Sequence, residues 1–106
     1  RATAFLSVEG RLPADVACAG QRALGSAQLA LCDVATGAVD AYIDLDVPIA
    51  PWDYLAGVLA CREAGAVVSS PNRSAIDTTD PDARFLVAAA ATPELLGQLR
   101  PLWSAQ

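Results

Sequence analysis

The sequence predicts an α/β fold, a layered sheet-and-helix domain. Three observations carry this. β-prone segments alternate with segments of helical periodicity along most of the chain. Helix start and stop residues stand at the joints between them. The composition, 54% hydrophobic and 18% charged, suits a packed core and not a disordered tail. The 106 residues are read as one domain, 1–106. A chain of this size buries roughly 65% of its unfolded surface on folding.

Residues 2–8, "ATAFLSV", are apolar and β-prone and predict a first strand. Residues 10–13 form a turn, and residues 14–21 a short, weak helix that stops at Gly20. Then Leu24, Ala27, Leu31, Val34 and Ala35 recur at helical spacing. Ser26 is the expected N-cap of that helix and Gly37 its stop. Val39, Ala41, Ile43 and Leu45 alternate with Asp40, Tyr42 and Asp44, the period-2 pattern of a strand. Pro51 opens a helix that runs to about Ala64, with Gly65 as its cap. Val67 and Val68 belong to a further strand, and "RFLVAAA" at 84–90 to another. Thr92-Pro93-Glu94 starts the last helix, which carries Leu95, Leu96, Leu99 and Leu102. The apolar stripes of the helices are expected to cover the sheet, each buried leucine contributing roughly 1.5–3 kcal/mol.

Charge and composition exclude several function classes. The net charge is −5, and no basic stripe is present to neutralise phosphates, so a nucleic-acid partner is not expected. No apolar run approaches the roughly 20 residues of a membrane span. With no histidine and no lysine, histidine-dependent acid–base catalysis, His-containing triads and Schiff-base chemistry are ruled out for this stretch of chain. Asp, Glu, Arg and hydroxyls remain, together with any metal they hold. Cys18, Cys32 and Cys61 are odd in number and form no Cys-x-x-Cys pair. They read as reduced thiols, Cys32 and Cys61 within apolar helix patterns, which points to a reducing compartment, most simply the cytoplasm. The chain starts at Arg1, directly before a strand-like segment, and is read as the later part of a longer protein or a separately encoded piece.

Two places carry candidate chemistry. Asp53 stands in the first turn of a helix, where the dipole favours a carboxylate by roughly 0.3–1 kcal/mol. That explains the acid without any ligand. The same position also aims a carboxylate out of a strand–loop–helix unit, at the end where ligands collect in open α/β sheets. Asp44 lies near the end of the preceding strand and Asp46 just after it, and three such acids attract a hard cation. Gly25-Ser26-Ala27 is the second candidate. It reads either as a plain N-cap or as a helix start whose free N–H groups receive a phosphate or a sugar hydroxyl. Asp77-Thr78-Thr79-Asp80 is read as a solvated turn, and the sequon Asn72-Arg73-Ser74 has no meaning without a secretory signal.

Three stretches together resemble one family: "LGSAQLALCDVATGAVDAYID", "PWDYLAGVLACREAGAVVSS" and "FLVAAAATPELLGQL" look like the C-terminal half of the inositol monophosphatase family. Trp52-Asp53, followed by a helix and Glu63-Ala64-Gly65, is the most specific of the shared features. The resemblance implies that Asp53 is a Mg²⁺ ligand close to the substrate's hydroxyls. It implies that Gly25, Ser26 and Ala27 line the substrate pocket. It implies that Asp44, where the family usually has Glu, hydrogen-bonds a substrate hydroxyl. Members of the family hydrolyse phosphomonoesters with a metal-activated water and several Mg²⁺ ions. Their fold is an α/β/α/β/α sandwich, to which this half contributes the smaller sheet and its helices.

The chain departs from the family pattern in ways that bear on function. The metal motif Asp-Pro-x-Asp-Gly-Thr and the upstream Glu of the family are absent from these residues. Leu55 replaces a usually small residue, and the loop between Asp44 and Trp52 is longer than usual and carries Asp46. The resemblance therefore implies part of a Mg²⁺-dependent phosphomonoesterase for a small sugar or inositol phosphate. The remaining catalytic acids are expected on an N-terminal half or partner chain, in an oligomer, and the isolated chain is expected to be inactive. The alternative is a structural or assembly half-domain that kept the fold and lost the chemistry.

Overall fold

The computed structural model describes residues 4–10, 16, 18, 20–23, 25–46, 48–71 and 80–104. Among these the elements are β1 (Phe5–Glu9), β2 (Gly20–Arg22), α1 (Ala27–Thr36), β3 (Ala41–Asp44), α2 (Pro51–Glu63), β4 (Val67–Ser69), β5 (Ala88–Ala90), α3 (Pro93–Leu99) and α4 (Pro101–Ser104). The strands form one mixed sheet in the order β2-β1-β3-β5-β4. β1 pairs parallel with both β2 and β3, whereas β5 is antiparallel to both β3 and β4. It follows that β1, β2, β3 and β4 run one way and β5 the other. Helix α1 follows β2 and helix α2 follows β3, so both helices begin at the edge of the sheet where the parallel strands end.

Two cores flank the sheet. On one face α1 and α2 supply Ala30, Leu31, Val34, Tyr54, Val58 and Cys61, packed on Tyr42 and Ala89 of the strands. On the other face Leu95 and Leu99 of α3 pack on Leu6, Val8, Ala41, Ile43, Ala88 and Ala90. Adjacent residues of β3 and β5 thus point to opposite layers, as the strand pleat requires. The alternation in residues 39–45 predicts this strand, and all four residues of β3 are buried, because helices cover both sides. The "polar" positions Tyr42 and Asp44 are only 1% and 2% exposed.

Caps stand where the sequence places them. Ser26 Oγ accepts from Leu29 N–H at 3.3 Å, and Thr92 Oγ1 from Leu95 N–H at 3.2 Å. Gly37 ends α1 with φ 85°, a left-handed conformation that glycine adopts without strain.

Three expectations need correction. The weak helix expected over 14–21 is not what Gly20 and Gln21 form: they belong to β2, in register with Phe5 and Leu6 of β1. A Cβ on Gly20 would lie 2.7 Å from the Phe5 ring, so the missing side chain permits the close strand approach. The rest of that stretch, apart from residues 16 and 18, lies outside the described residues. Second, the strand expected over 84–90 is regular only at Ala88–Ala90, while Phe85 makes a separate bridge with Ile49. Third, the last helix is two. Pro101 has no N–H, and its ring conflicts with the carbonyl four residues earlier, so α3 ends at Leu99 and α4 restarts at Pro101. The sequon and the Asp77–Asp80 turn fall within residues 72–80, of which only Asp80 belongs to the described residues. There, Asp80 Oδ1 accepts from Asp82 N–H at 2.9 Å, as a turn requires.

Candidate active site

The edge of the sheet at which β1 and β3 end is also where α1 and α2 begin, and two adjoining cavities open there. The first, about 250 Å³, is lined by Glu9, Gly10, Gly25, Ala27, Tyr42, Asp44, Asp46 and Ile49. The second, about 310 Å³, is lined by Gly25, Ser26, Ala27, Gln28, Ile49, Trp52 and Asp53. They share Gly25, Ala27 and Ile49. All five site residues expected from the sequence, Gly25, Ser26, Ala27, Asp44 and Asp53, therefore meet around one cleft, although Asp44 and Asp53 line different halves of it.

Strand register builds the first half. Ser7 pairs with Tyr42 and Glu9 with Asp44 across the parallel β1–β3 ladder, which places two carboxylates side by side. Glu9 Oε2 accepts from Gly25 N–H at 2.9 Å and so ties the end of β1 to the turn before α1. Gly25 sits at φ 72°, which glycine reaches without a Cβ penalty. The Tyr42 phenol is pushed well above its ordinary value, first by burial and then by the negative charges of Asp44 and Glu9. Its hydroxyl stays protonated, and neither it nor Ser7 Oγ has a hydrogen-bond partner among the described residues.

Helix starts build the second half. Ser26 Oγ occupies the Leu29 N–H, and the N–H groups of the first turn of α1 have no acceptor within the helix. At α2 the N-cap is Ala50, which has no side-chain acceptor. Asp53 compensates in the reverse direction: its Oδ2 accepts from Ala50 N–H at 3.2 Å, while Asp53 N–H donates to Ala50 O at 2.9 Å. Asp53 is exposed, with Trp52 beside it and the Arg84 guanidinium 5.0 Å from the Trp52 ring centroid. The helix-start role of Asp53 is thus realised, and the exposed residue also lines the second cavity.

A Mg²⁺ ion needs about six oxygen ligands in near-octahedral array. Among the described residues no group of three or more His, Cys, Asp or Glu side chains is placed to hold a metal ion. These residues do not by themselves fit a Mg²⁺ site. Glu9 and Tyr42 were not singled out by sequence reasoning, although Glu9 carries the same signal as Asp44, an acid at the carboxyl end of a strand. Cys61 is a buried thiol as expected, donating to Leu31 O at 3.2 Å, whereas Cys32 is exposed and not part of the core.

Residues 2–104 match the inositol monophosphatase family. The chain belongs to that family. Nus factor SuhB of Escherichia coli strain K12 is 43% identical over 68 residues, 64% of this chain and 24% of that protein. The inositol-1-monophosphatase of Mycobacterium leprae is 49% identical over 53 residues, 50% of this chain and 18% of that one. A Pyrococcus horikoshii structure described as having similarities to inositol-1 monophosphatase superposes with a TM-score of 0.81 at 29% identity. It covers 92% of this chain and 41% of its own. The chain thus spans about a quarter of the length of the Nus factor relative and about two fifths of the solved structure. The five-stranded mixed sheet with its helices is the inositol monophosphatase fold over the part that this chain covers.

Proposed function

We propose that this chain is part of a Mg²⁺-dependent phosphomonoesterase for a small sugar or inositol phosphate. In this reading Asp53 supplies one metal ligand, and the other ligands and catalytic acids lie outside these residues. Gly25, Ser26 and Ala27 form the wall that receives the ester, with the N–H groups at the start of α1 directed at its oxygens. Asp44 accepts a hydrogen bond from the far end of the substrate. The observation that supports this best is the shared lining of the two cavities, which joins the starts of α1 and α2 to the carboxyl ends of β1 and β3. Ligands of open α/β sheets collect at such an edge.

A second reading is a structural or assembly half-domain without turnover. It draws support from the exposed apolar side chains of α1 and α2, Leu29, Trp52 and Leu59, each 61% exposed. One experiment separates the two. Release of phosphate from inositol monophosphate and from glucose 6-phosphate is measured with and without Mg²⁺. It is run for the 106-residue chain alone and for the protein in which the rest of the family fold is present. The expected result is no turnover by the chain alone and Mg²⁺-dependent turnover by the completed protein. Turnover by the chain alone removes the shared-site reading, and none by the completed protein establishes the assembly role.

A further inference from the structure

A third cavity, about 480 Å³, lies at α3 and α4 and shares no lining residue with the cleft. Its size is that of a small-molecule site. It is lined by Pro71, Gly97, Arg100, Pro101, Trp103 and Ser104. Arg100 is half-buried, and its partners among the described residues are all uncharged. Nη1 donates to Ser69 Oγ and, at 3.0 Å, to Ser70 O, while Nη2 donates to Pro71 O at 3.4 Å. The guanidinium lies 5.5 Å from the Trp103 ring centroid. The chain carries twelve acidic residues against seven basic ones, so the lack of a carboxylate here is not a shortage of acids. The three bonds tie the end of α3 to the end of β4 and engage at most three of the five guanidinium donors. A purely structural strut therefore leaves two donors and the charge unmatched in a half-buried place, which is costly.

Gly97 supplies an independent observation. It stands inside α3, where glycine is disfavoured relative to alanine. Neither usual reason for a glycine applies. Its backbone is not left-handed, and a Cβ would meet no heavy atom within 4 Å. Packing does not require the missing side chain, and what its absence leaves open is the cavity that Gly97 lines. Gly97 precedes Arg100 by three residues, so a side chain there would stand on the same helix face as the guanidinium. Trp103 is held from the other side. Its Nε1–H donates to Asp44 O at 2.9 Å, which fixes the ring that backs the guanidinium before any ligand arrives.

We propose that this cavity is a binding site for a small oxyanion, the phosphate of a monoester or a carboxylate, held by the Arg100 donors that the fold leaves unused. A guanidinium meets either group with charge-assisted bonds, two at a time. Both groups offer the paired oxygens that this requires. The site is independent of the phosphatase reading and does not use the residues of the cleft.

Methyl phosphate and acetate are each titrated into the completed protein without Mg²⁺ and at constant ionic strength. Neither metal-held phosphate nor screening then contributes. The indole N–H resonance of Trp103 is the local readout. A saturable shift is expected with at least one of the two anions, and the tighter one names the ligand class. Arg100→Lys keeps the charge and loses the fork, and is expected to weaken binding about tenfold. Gly97→Glu sets a carboxylate beside the guanidinium with no atom in its way, and is expected to keep the fold and abolish the shift. A resonance that moves with neither anion, or that moves unchanged in Gly97→Glu or in Arg100→Lys, overturns the site. Should Arg100→Lys fail to fold, Gly97→Glu decides alone, since nothing within 4 Å opposes its Cβ.

Discussion

Asp53 is a residue with two duties, and substitution separates them. Its Oδ2 accepts from Ala50 N–H at 3.2 Å, at a helix start whose N-cap residue has no acceptor of its own. Asparagine keeps an oxygen for that bond, so Asp53→Asn should change stability by less than about 1 kcal/mol, the scale of a cap or dipole effect. If the carboxylate also binds a cation in the completed protein, turnover should fall by orders of magnitude. Urea midpoints and turnover at saturating Mg²⁺ measure both, and normal turnover would remove Asp53 from the site. Cys61 shows a different coupling of burial to charge. Burial, then the charge of Cys32, pushes its thiol from 9.0 up to about 11, against a backbone hydrogen bond that lowers it. The raised value means that the fold holds a proton which the unfolded chain releases. The stabilisation is therefore complete below pH 9 and is lost as pH rises toward about 11. The buried Tyr42 phenol adds to the same alkaline loss above the ordinary tyrosine value near 10. Urea midpoints between pH 8 and 11 should decline, and the decline should be shallower in Cys61→Ala; a flat wild-type profile would contradict the burial of both groups.

Between elements, the contact of α1 with α2 depends on Gly57. A Cβ there would lie 2.6 Å from Leu31 Cβ and 3.0 Å from Gln28 Oε1. Gly57 N–H also donates to Gln28 Oε1 at 2.7 Å, a second tie between the helices. In an open helix, alanine would be better than glycine by about 1 kcal/mol. Here the obstacle is the stem of a buried leucine, which cannot rotate away, and overpacking costs about 1–3 kcal/mol. Gly57→Ala should therefore lower the urea midpoint, and a stabilised variant would show that the two helices are not so close. The sheet was less legible than the helices at this scale. Ser26, Gly37, Pro51 and Thr92 announce helix ends locally, because a cap is a bond between near neighbours. Gly20–Arg22 gives no such signal: it is extended only because β1 offers a parallel edge. Pro101 carried its signal in plain view, and the leucine spacing across it, Leu99 to Leu102, hid the break.

At the scale of the whole molecule, both faces of the sheet are covered, yet the α1–α2 layer still shows apolar side chains to solvent. Trp52 and Leu59 are seven residues apart, two helical turns, so they share one face of α2. With Leu29 of α1 they are each 61% exposed. The chain spans only 41% of the length of the Pyrococcus horikoshii structure, and in the proposed reading this surface receives the remainder of a larger fold. The isolated chain should therefore bind hydrophobic dyes or self-associate, and Leu29→Ser with Leu59→Ser should reduce both with little loss of stability. Light scattering and dye fluorescence measure this. A monodisperse wild-type chain without dye affinity would show that the layer needs no cover.

The sequence by itself determined the element order of most of the chain, most of the helix ends and, by resemblance, the family. The first two rest on short-range chemistry, caps, prolines and apolar periods, and the family on the likeness of the run from Gly25 to Gly65. Only the tertiary structure decided which polar groups share a cavity. Asp44 reads locally as an acid near the end of a strand, and Glu9 was not singled out. The parallel pairing of β1 with β3 sets them side by side, and helices on both faces bury Tyr42 with them. Strand partners and covering layers are chosen by residues dozens of positions away, so a period-2 pattern states which side chains alternate but not which side is wet.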